Sequence, residues 1–436
     1  MKSVNQYVMK DSGVQWIGAV PEHWEVCKVK NKYSFSTGFT PPKNNEEYYD
    51  YSNEGYTWIC ISDMKAKEIE CSANSISRYY VDTFKPAIVK KGSLLYSFKL
   101  SVGQVSFAKK DLFTNEAIVS FHDLDSVCLP YLYYSSQICI IQNAETNIYG
   151  AKLLNQERIK EATILFPPLS EQRAIADWLD AKCADIDAAI ELQQRMIDKL
   201  KAYKTAVIHQ AVTKGLDKNT NLKDSGVQWI GEVPEHWEVC KVKNKYSFST
   251  GFTPPKNNEE YYDYSNEGYT WVCISDMKAK EIECSANSIS RYYVDTFKPA
   301  MVKKGSLLYS FKLSVGQVSF AKKDLFTNEA IVSFHDSDSV CLPYLYYSSQ
   351  ICIIQNAETN IYGAKLLNQE RIKEATILFP PLVEQHAIAD WLDAKCADID
   401  ATIALKEQKQ EKLKEYKKTI IFEYVTGKKQ VANINK

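Results

Sequence analysis

The chain carries one long sequence twice. Residues 11–187 recur at 224–400 with a constant offset of 213 and six differences: Ala19/Glu232, Ile59/Val272, Ile88/Met301, Leu124/Ser337, Ser170/Val383 and Arg173/His386. A unit this long is a domain with an appendage, well beyond the roughly 20–50 residues of a solenoid repeat. Two copies in one polypeptide behave as a covalent homodimer, and compact dimers favour two-fold symmetry. Whatever one copy binds, the chain is expected to bind twice, in inverted orientation.

A length of 436 residues leaves room for two or three domains with ample core. The composition, 45% hydrophobic and 25% charged, is that of a soluble globular protein. A net charge of −1 excludes a crude polycation and leaves local basic patches open. Each copy has six cysteines, Cys27, Cys60, Cys71, Cys128, Cys139 and Cys183 in the first, and none stands in a C-x-x-C pair. The opening MKSVNQYVMK lacks the apolar core of a signal peptide. Reduced, mostly buried thiols in a cytoplasmic protein are therefore expected. His23 and Cys27 could share one helical face as half a zinc site, but no second pair is near, and a closed structural site needs four ligands. No apolar run approaches the ~18 residues of a membrane span.

Each copy changes character once. Short β-like runs fill its first part: 57–61 (TWICI), 93–100 (SLLYSFKL), 103–108 (GQVSFA), 117–122 (AIVSFH) and 162–166 (ATILF). Helical stretches at 127–136 and 155–161 intervene. After Pro167 and Pro168 the pattern predicts one long helix, with an apolar stripe of Ile175, Leu179, Cys183, Ile186, Ile190, Ile197, Leu200, Val207 and Ala211. Gln193 and Gln194 interrupt it, and Gly215 is a natural stop. The second copy repeats the stripe through Ile388, Leu392, Cys396, Ile399, Ile403, Leu413, Ile420 and Tyr424, and Gly427 ends it. The expected fold class is α+β: two mixed globules held apart by a long antiparallel two-helix coiled coil with pseudo-two-fold symmetry. The expected segments are a globule at 1–168, a helix at 169–215, a linker at 216–223, a globule at 224–381, a helix at 382–427 and a tail at 428–436.

Catalytic signatures are missing. The chain has no phosphate loop, no G-x-G-x-x-G fingerprint, no G-x-S-x-G elbow and no Asn-Pro-Pro-aromatic motif of adenine methyltransferases. Charge is more informative. Residues 26–45 hold Lys28, Lys30, Lys32 and Lys43 without an acid. Residues 83–110 hold Lys85, Lys90, Lys91, Lys99, Lys109 and Lys110 without an acid, interleaved with Phe84, Tyr96, Phe98 and Phe107. Cationic loops on a sheet give a neutral domain a phosphate-binding face, although such a window is equally compatible with scattered surface lysines over a core.

Four marks occur twice and in order: DSGVQWIGAVPEHWEV at 11–26, STGFTPP at 36–42, TNEAIVSF at 114–121 and FPPLSEQRAIADWLD at 166–180. Together the marks cover nearly the whole chain, and it resembles the specificity subunits of type I restriction-modification systems. The resemblance implies that each globule is a target recognition domain reading one half of a split DNA sequence. It implies a coiled coil that sets the gap between the halves, and a subunit that catalyses nothing. It also implies partners: double-stranded DNA, two methyltransferase subunits that bind S-adenosylmethionine and methylate adenine, and restriction subunits that use ATP and Mg. Members of the family usually carry two different recognition domains. Here the two are nearly identical, so an interrupted inverted repeat is the expected target, with Ile59/Val272 and Ile88/Met301 read as core exchanges and Arg173/His386 placed at the start of the long helix.

The candidate DNA-reading residues lie near these marks. They are Thr40 and Lys43, Ser62 and Lys65, Lys99 and Ser101, Lys109 and Lys110, and Tyr149, Gly150 and Lys152. Their copies are Thr253, Lys256, Ser275, Lys278, Lys312, Ser314, Lys322, Lys323, Tyr362, Gly363 and Lys365. Lysines set register on phosphates, while hydroxyls and amides address base edges. Asn115 and Asn328 resemble a position of the family marks and are equally compatible with capping a turn, and Tyr131, Tyr133 and Tyr134 are expected to belong to the core. The candidate methyltransferase contacts are Glu171, Gln172 and Trp178, with Glu384, Gln385 and Trp391. The chief rival is a standalone two-headed DNA-binding protein such as a repressor. A structural linker whose globules bind protein, and an enzyme acting alone, are weaker alternatives.

Overall fold

The computed structural model describes residues 8–431 apart from 53, 100, 147–149, 151, 266, 360–362 and 364. In the first globule the run at 93–100 forms the strand Leu94–Ser97. Leu94 and Tyr96 enter the main core, while Leu95 on the opposite face joins Ile59, Met64, Val89, Leu112 and Ile118 in a second core. Both faces of the strand are covered, which is why it reads as a continuous apolar run rather than an alternating one. It lies at the centre of a five-stranded sheet ordered Phe35–Thr37, Ile118–Phe121, Leu94–Ser97, Val105–Ala108 and Glu68–Ile69. The first four strands are antiparallel and the last is parallel to its neighbour. A smaller sheet places Tyr56–Ile59 between Phe113–Thr114 and Ser75–Ile76. The helix Leu129–Cys139, with Pro130 in its first turn, packs on the main core. Tyr131 and Tyr134 are buried there, and Tyr133 stacks on Phe107.

The strand Glu25–Lys28 pairs antiparallel with Thr163–Phe166, Cys27 opposite Ile164. This corrects the reading of His23 and Cys27 as neighbours on a helical face. Cys27 is a buried strand residue, and His23 Nε2 lies 2.7 Å from Glu171 Oε1. Among the described residues no group of three or more His, Cys, Asp or Glu side chains is arranged to hold a metal. The same strand pair sets Trp24 beside the first turn of the long helix Leu169–Lys214, where its indole Nε1 donates to Glu171 Oε2 at 2.9 Å. All elements of the second globule repeat this plan, and it leads into the second long helix, Leu382–Val425. Among the described residues no helix is long and apolar enough to cross a membrane.

The fold is the expected α+β class with long helices, but the compact units cut across both helices. One unit holds the described residues up to Gln194 together with those from Gln408 onward, and the other holds Arg195–Glu407. Each unit therefore takes the beginning of one long helix and the end of the other. Within the first unit the two segments run antiparallel. Trp178 stacks on Tyr424 with ring centroids 3.9 Å apart, Lys417 Nζ donates to both Asp187 oxygens at 2.6 and 2.7 Å, and Gln410 Nε2 donates to Gln194 Oε1 at 3.2 Å. Within the second unit Lys204 Nζ donates to both Asp400 oxygens, and Ile197 packs on Ile399 and Ile403.

Each long helix ends at a left-handed glycine. Gly215 has φ +73° and a Cβ there would lie 3.1 Å from the Trp237 ring, whereas at Gly427, φ +70°, it would lie 2.4 Å from Pro21 Cδ. Both positions penalise an L side chain, and the second adds a collision with a ring that cannot rotate away. Gly427→Ala is expected to destabilise the first unit by roughly 2–3 kcal/mol and Gly215→Ala the second by about 1 kcal/mol. Urea denaturation of the two variants checks the order; equal losses would contradict it.

Candidate nucleic-acid interface

The Gly-Phe-Thr-Pro-Pro loop owes its shape to backbone contact. A Cβ on Gly38 would fall 2.1 Å from the Thr114 carbonyl oxygen, so only glycine lets the loop lie against the strand Phe113–Thr114. Phe39 N donates to Thr114 O at 2.9 Å, Trp58 Nε1 to Phe39 O at 3.0 Å, and Tyr49 Oη to Pro41 O at 2.7 Å. Held by these three bonds, the loop presents Thr40, whose hydroxyl donates to the Glu116 carboxylate. Asn115, next to Glu116, caps its turn by accepting from Ala117 N at 3.2 Å. Asn155 caps the helix Gln156–Lys160, and Gln156 Nε2 reaches Thr37 Oγ1 at 3.4 Å.

In the second unit the corresponding groups line a cleft of about 510 Å³: Thr250, Gly251, Phe311, Lys312, Glu329, Asn368, Gln369 and Glu370. Thr253 donates to Glu329 on its rim, and Ser314 is exposed on the same hairpin as Lys312. The structure thus gathers Thr253 and Lys312 at one place, as it gathers Thr40 with Glu116 in the first unit. Glu116, Gln156 and their copies Glu329 and Gln369 were not singled out from sequence. Glu116 stands inside the TNEAIVSF mark, and Gln156 follows a capping Asn, which is the signal that pointed there.

The remaining candidates lie elsewhere. Lys65 lines a cleft of about 600 Å³ with Lys67, Gln104, Tyr133, Tyr134 and Asp180, against the long helices of the first unit. There Lys67 pairs with Asp180, which also accepts from Tyr134 Oη at 2.5 Å. Lys109 Nζ lies 3.3 Å from Glu68, and Lys322 Nζ 3.1 Å from Glu281. Lys90 bonds Asp111 at 2.9 Å, and this bond holds the Asp111 carboxyl below its usual range. The acid-free window at 83–110 is therefore partly neutralised by acids from outside it. Lys43, Ser62, Lys65, Lys110 and Lys152 are exposed, as are their copies Lys256, Ser275, Lys278, Lys323 and Lys365, and Lys99 and Ser101 are exposed like Lys312 and Ser314. Gly150 and Gly363 occupy left-handed turns, and Tyr149 and Tyr362 lie outside the described residues.

Burial also corrects the candidate partner contacts. Gln172 and Gln385 are fully enclosed, each donating to the carbonyl of the first Pro of its Pro-Pro pair, so neither offers a surface. Glu171 is buried by Trp24 and His23, and Glu384 is similarly engaged by Trp237 and His236. Trp178 is covered on one face by Tyr424. Trp391 is 42% exposed beside Tyr203 and Val207. Of the exchanged pairs, Ile59/Val272 is a core swap, but Ile88 is 41% exposed and its copy Met301 is partly buried, which corrects the reading of that pair.

All twelve cysteines are free thiols, and only Cys71 and Cys284 are exposed. Burial, followed by the charge of Asp63, raises the Cys60 thiol to about 11, and burial raises Cys139 to about 12. A raised thiol stays protonated and inert until the pH approaches those values. Iodoacetamide at pH 8 is expected to modify Cys71 and Cys284 first, as peptide mass spectrometry would read; early labelling of Cys60 would contradict this.

Comparison with known proteins agrees with the geometry. The family described as Type I restriction modification DNA specificity domain matches residues 21–202 and 234–415. The putative type I restriction enzyme MjaX specificity subunit of Methanocaldococcus jannaschii is 25% identical over 443 residues, covering 95% of this chain and 96% of that protein. A chain from a structural study of complex assembly and conformational transition of the type I R-M system superposes with a TM-score of 0.69 at 13% identity, covering 93% of this chain and 98% of that one. The HsdS subunit from Thermoanaerobacter tengcongensis superposes with a TM-score of 0.52 at 14% identity, covering 94% and 98%. With both copies matched over most of their length, this chain belongs to the type I restriction-modification specificity family, as a DNA-recognition subunit rather than a catalyst.

Proposed function

We propose that this specificity subunit reads a bipartite DNA target whose two half-sites have the same sequence, inverted about a nonspecific spacer. The observation that carries the reading is duplication of the whole candidate cleft. Thr250, Gly251, Phe311, Lys312, Glu329, Asn368, Gln369 and Glu370 each have an identical counterpart 213 residues earlier, and none of the six exchanged positions lies among them. Two clefts with the same donors and acceptors select the same base edges. A carboxylate at the cleft, Glu116 or Glu329, suits an amino donor on a base and repels phosphate, so the cleft is a place for base readout. Lys99, Lys312 and the exposed lysines around it supply the phosphate contacts.

Recognition is passed to partners. Two methyltransferase subunits carry S-adenosylmethionine and flip the target adenine out of the duplex. Restriction subunits bring ATP and Mg, and the complex works in the cytoplasm. The methyltransferase contacts are assigned to Trp178, Trp391 and the exposed flank around Arg173 and His386. The names of the relatives, and a structural neighbour from a study of complex assembly, support this reading.

Methylome sequencing of cells expressing the chain with its methyltransferase is expected to give one adenine-containing palindromic motif with a fixed gap. Two unrelated half-sites would overturn it. Replacing Lys99 and Lys312 with Ala is expected to lower affinity for all duplexes and to reduce the slope of log K against log salt by about two, one per phosphate contact. An unchanged slope would remove both lysines from the interface.

A further inference from the structure

The short helix Arg78–Phe84 and its copy Arg291–Phe297 belong to no family mark quoted above, and their construction points to a second set of base-reading groups. Ser77 caps the helix by accepting from Tyr80 N at 3.2 Å, and Lys85 closes it in a left-handed conformation at φ 45°. Its inner face is aromatic: Tyr80 stacks on Phe39 with centroids 5.4 Å apart, and Phe84 packs edge-on against Tyr48. At about 100° per residue, Arg78, Tyr79, Asp82 and Thr83 share the opposite arc, and all four are exposed. Tyr79 leaves 56% of its surface open and Tyr292 55%. Tyr79 is held in place by stacking on Tyr48, with centroids 6.3 Å apart, and stands beside a guanidinium, a carboxylate and a hydroxyl.

We propose that this arc enters the major groove of the half-site and determines its specificity together with the cleft. The inference rests on the reading of the chain as a DNA-recognition subunit and adds the element that reads. Three observations favour duplex DNA over a protein as the occupant. The helix stacks through Tyr80 on Phe39, the neighbour of Thr40, which puts it beside the Gly-Phe-Thr-Pro-Pro loop. At roughly 10 Å it fits within a groove about 12 Å wide. Its side chains also span the chemistry of base edges: Arg78 a donor fork, Asp82 an acceptor for the cytosine amino group, Thr83 a methyl and hydroxyl, and Tyr79 a ring with a hydroxyl. Arg78 Nε donates to Glu54 O at 3.3 Å.

The test uses the full chain with its methyltransferase and a randomised duplex library. The paired variants are Asp82→Asn with Asp295→Asn, and Tyr79→Phe with Tyr292→Phe. The first pair is expected to change the base selected at one position of each half-site and to weaken binding to the original site about tenfold, with affinity for random duplex within about twofold of the parent. The second pair is isosteric, and a loss of specific binding without a change in melting temperature reports the hydroxyl alone. An unchanged motif and affinity in both pairs overturns the proposal. So does loss of methyltransferase co-purification with the motif intact, which makes the arc a protein interface. A parent protein that selects no motif overturns the DNA-recognition reading itself, a result distinguishable from the other two.

Discussion

The bond between the Trp24 indole and the Glu171 carboxylate fixes the relation between a globule and its helix. Trp24 follows the first turns of the globule, and Glu171 lies in the opening turn of a helix of 46 residues. Removing the carboxylate would lose this hydrogen bond to a charged group, at a cost of about 1.5–3 kcal/mol. The strand pair Glu25–Lys28 and Thr163–Phe166 brings the two residues together by joining the beginning of the globule to its end. The direction in which the helix leaves is thus set by a sheet register and one charge-assisted bond. The same arrangement recurs at Trp237 and Glu384.

The candidate interface is polar before it is basic. Lys30, Lys90 and Lys109 each have a carboxylate partner. Such exposed pairs contribute little stability; they offset part of the lysine charge of a near-neutral domain. What remains for recognition is a loop pinned by Thr114, Trp58 and Tyr49, a hydroxyl on a carboxylate, and an amide from a capped helix. These are groups whose geometry matters more than their charge, as base reading requires.

Much of this was legible from sequence, for identifiable reasons. The runs at 93–100 and 162–166 became strands because their apolar residues match buried faces. The stripe from Ile175 to Ala211 became a helix because no Pro or Gly breaks it, and the polar step at Gln193 and Gln194 leaves the helix whole. Tertiary events were not legible. Lys109 and Glu68 are 41 positions apart and meet only because the strand Glu68–Ile69 lies parallel to Val105–Ala108. Gln172 reads as a polar surface residue, yet its amide is used to bond the Pro167 carbonyl. The helix Arg78–Phe84 escaped notice because RYYVDTF carries β-favouring residues, and the Ser77 cap and aromatic packing override them.

The first unit is assembled from the two extremities of the chain. Ile420, Ile421 and Val425 complete the core that Ile175 and Leu179 begin, and Lys428 Nζ donates to the Ile17 carbonyl. The second unit is one unbroken stretch. Chains are made from the amino end, and domains generally fold in that order as they emerge. Here the order of completion is reversed. The later-made recognition domain can finish while the earlier one still waits, its helix uncovered, for the last few turns to leave the ribosome. A chain cut short between Glu407 and Ile420 would hold one completed recognition unit and one open one.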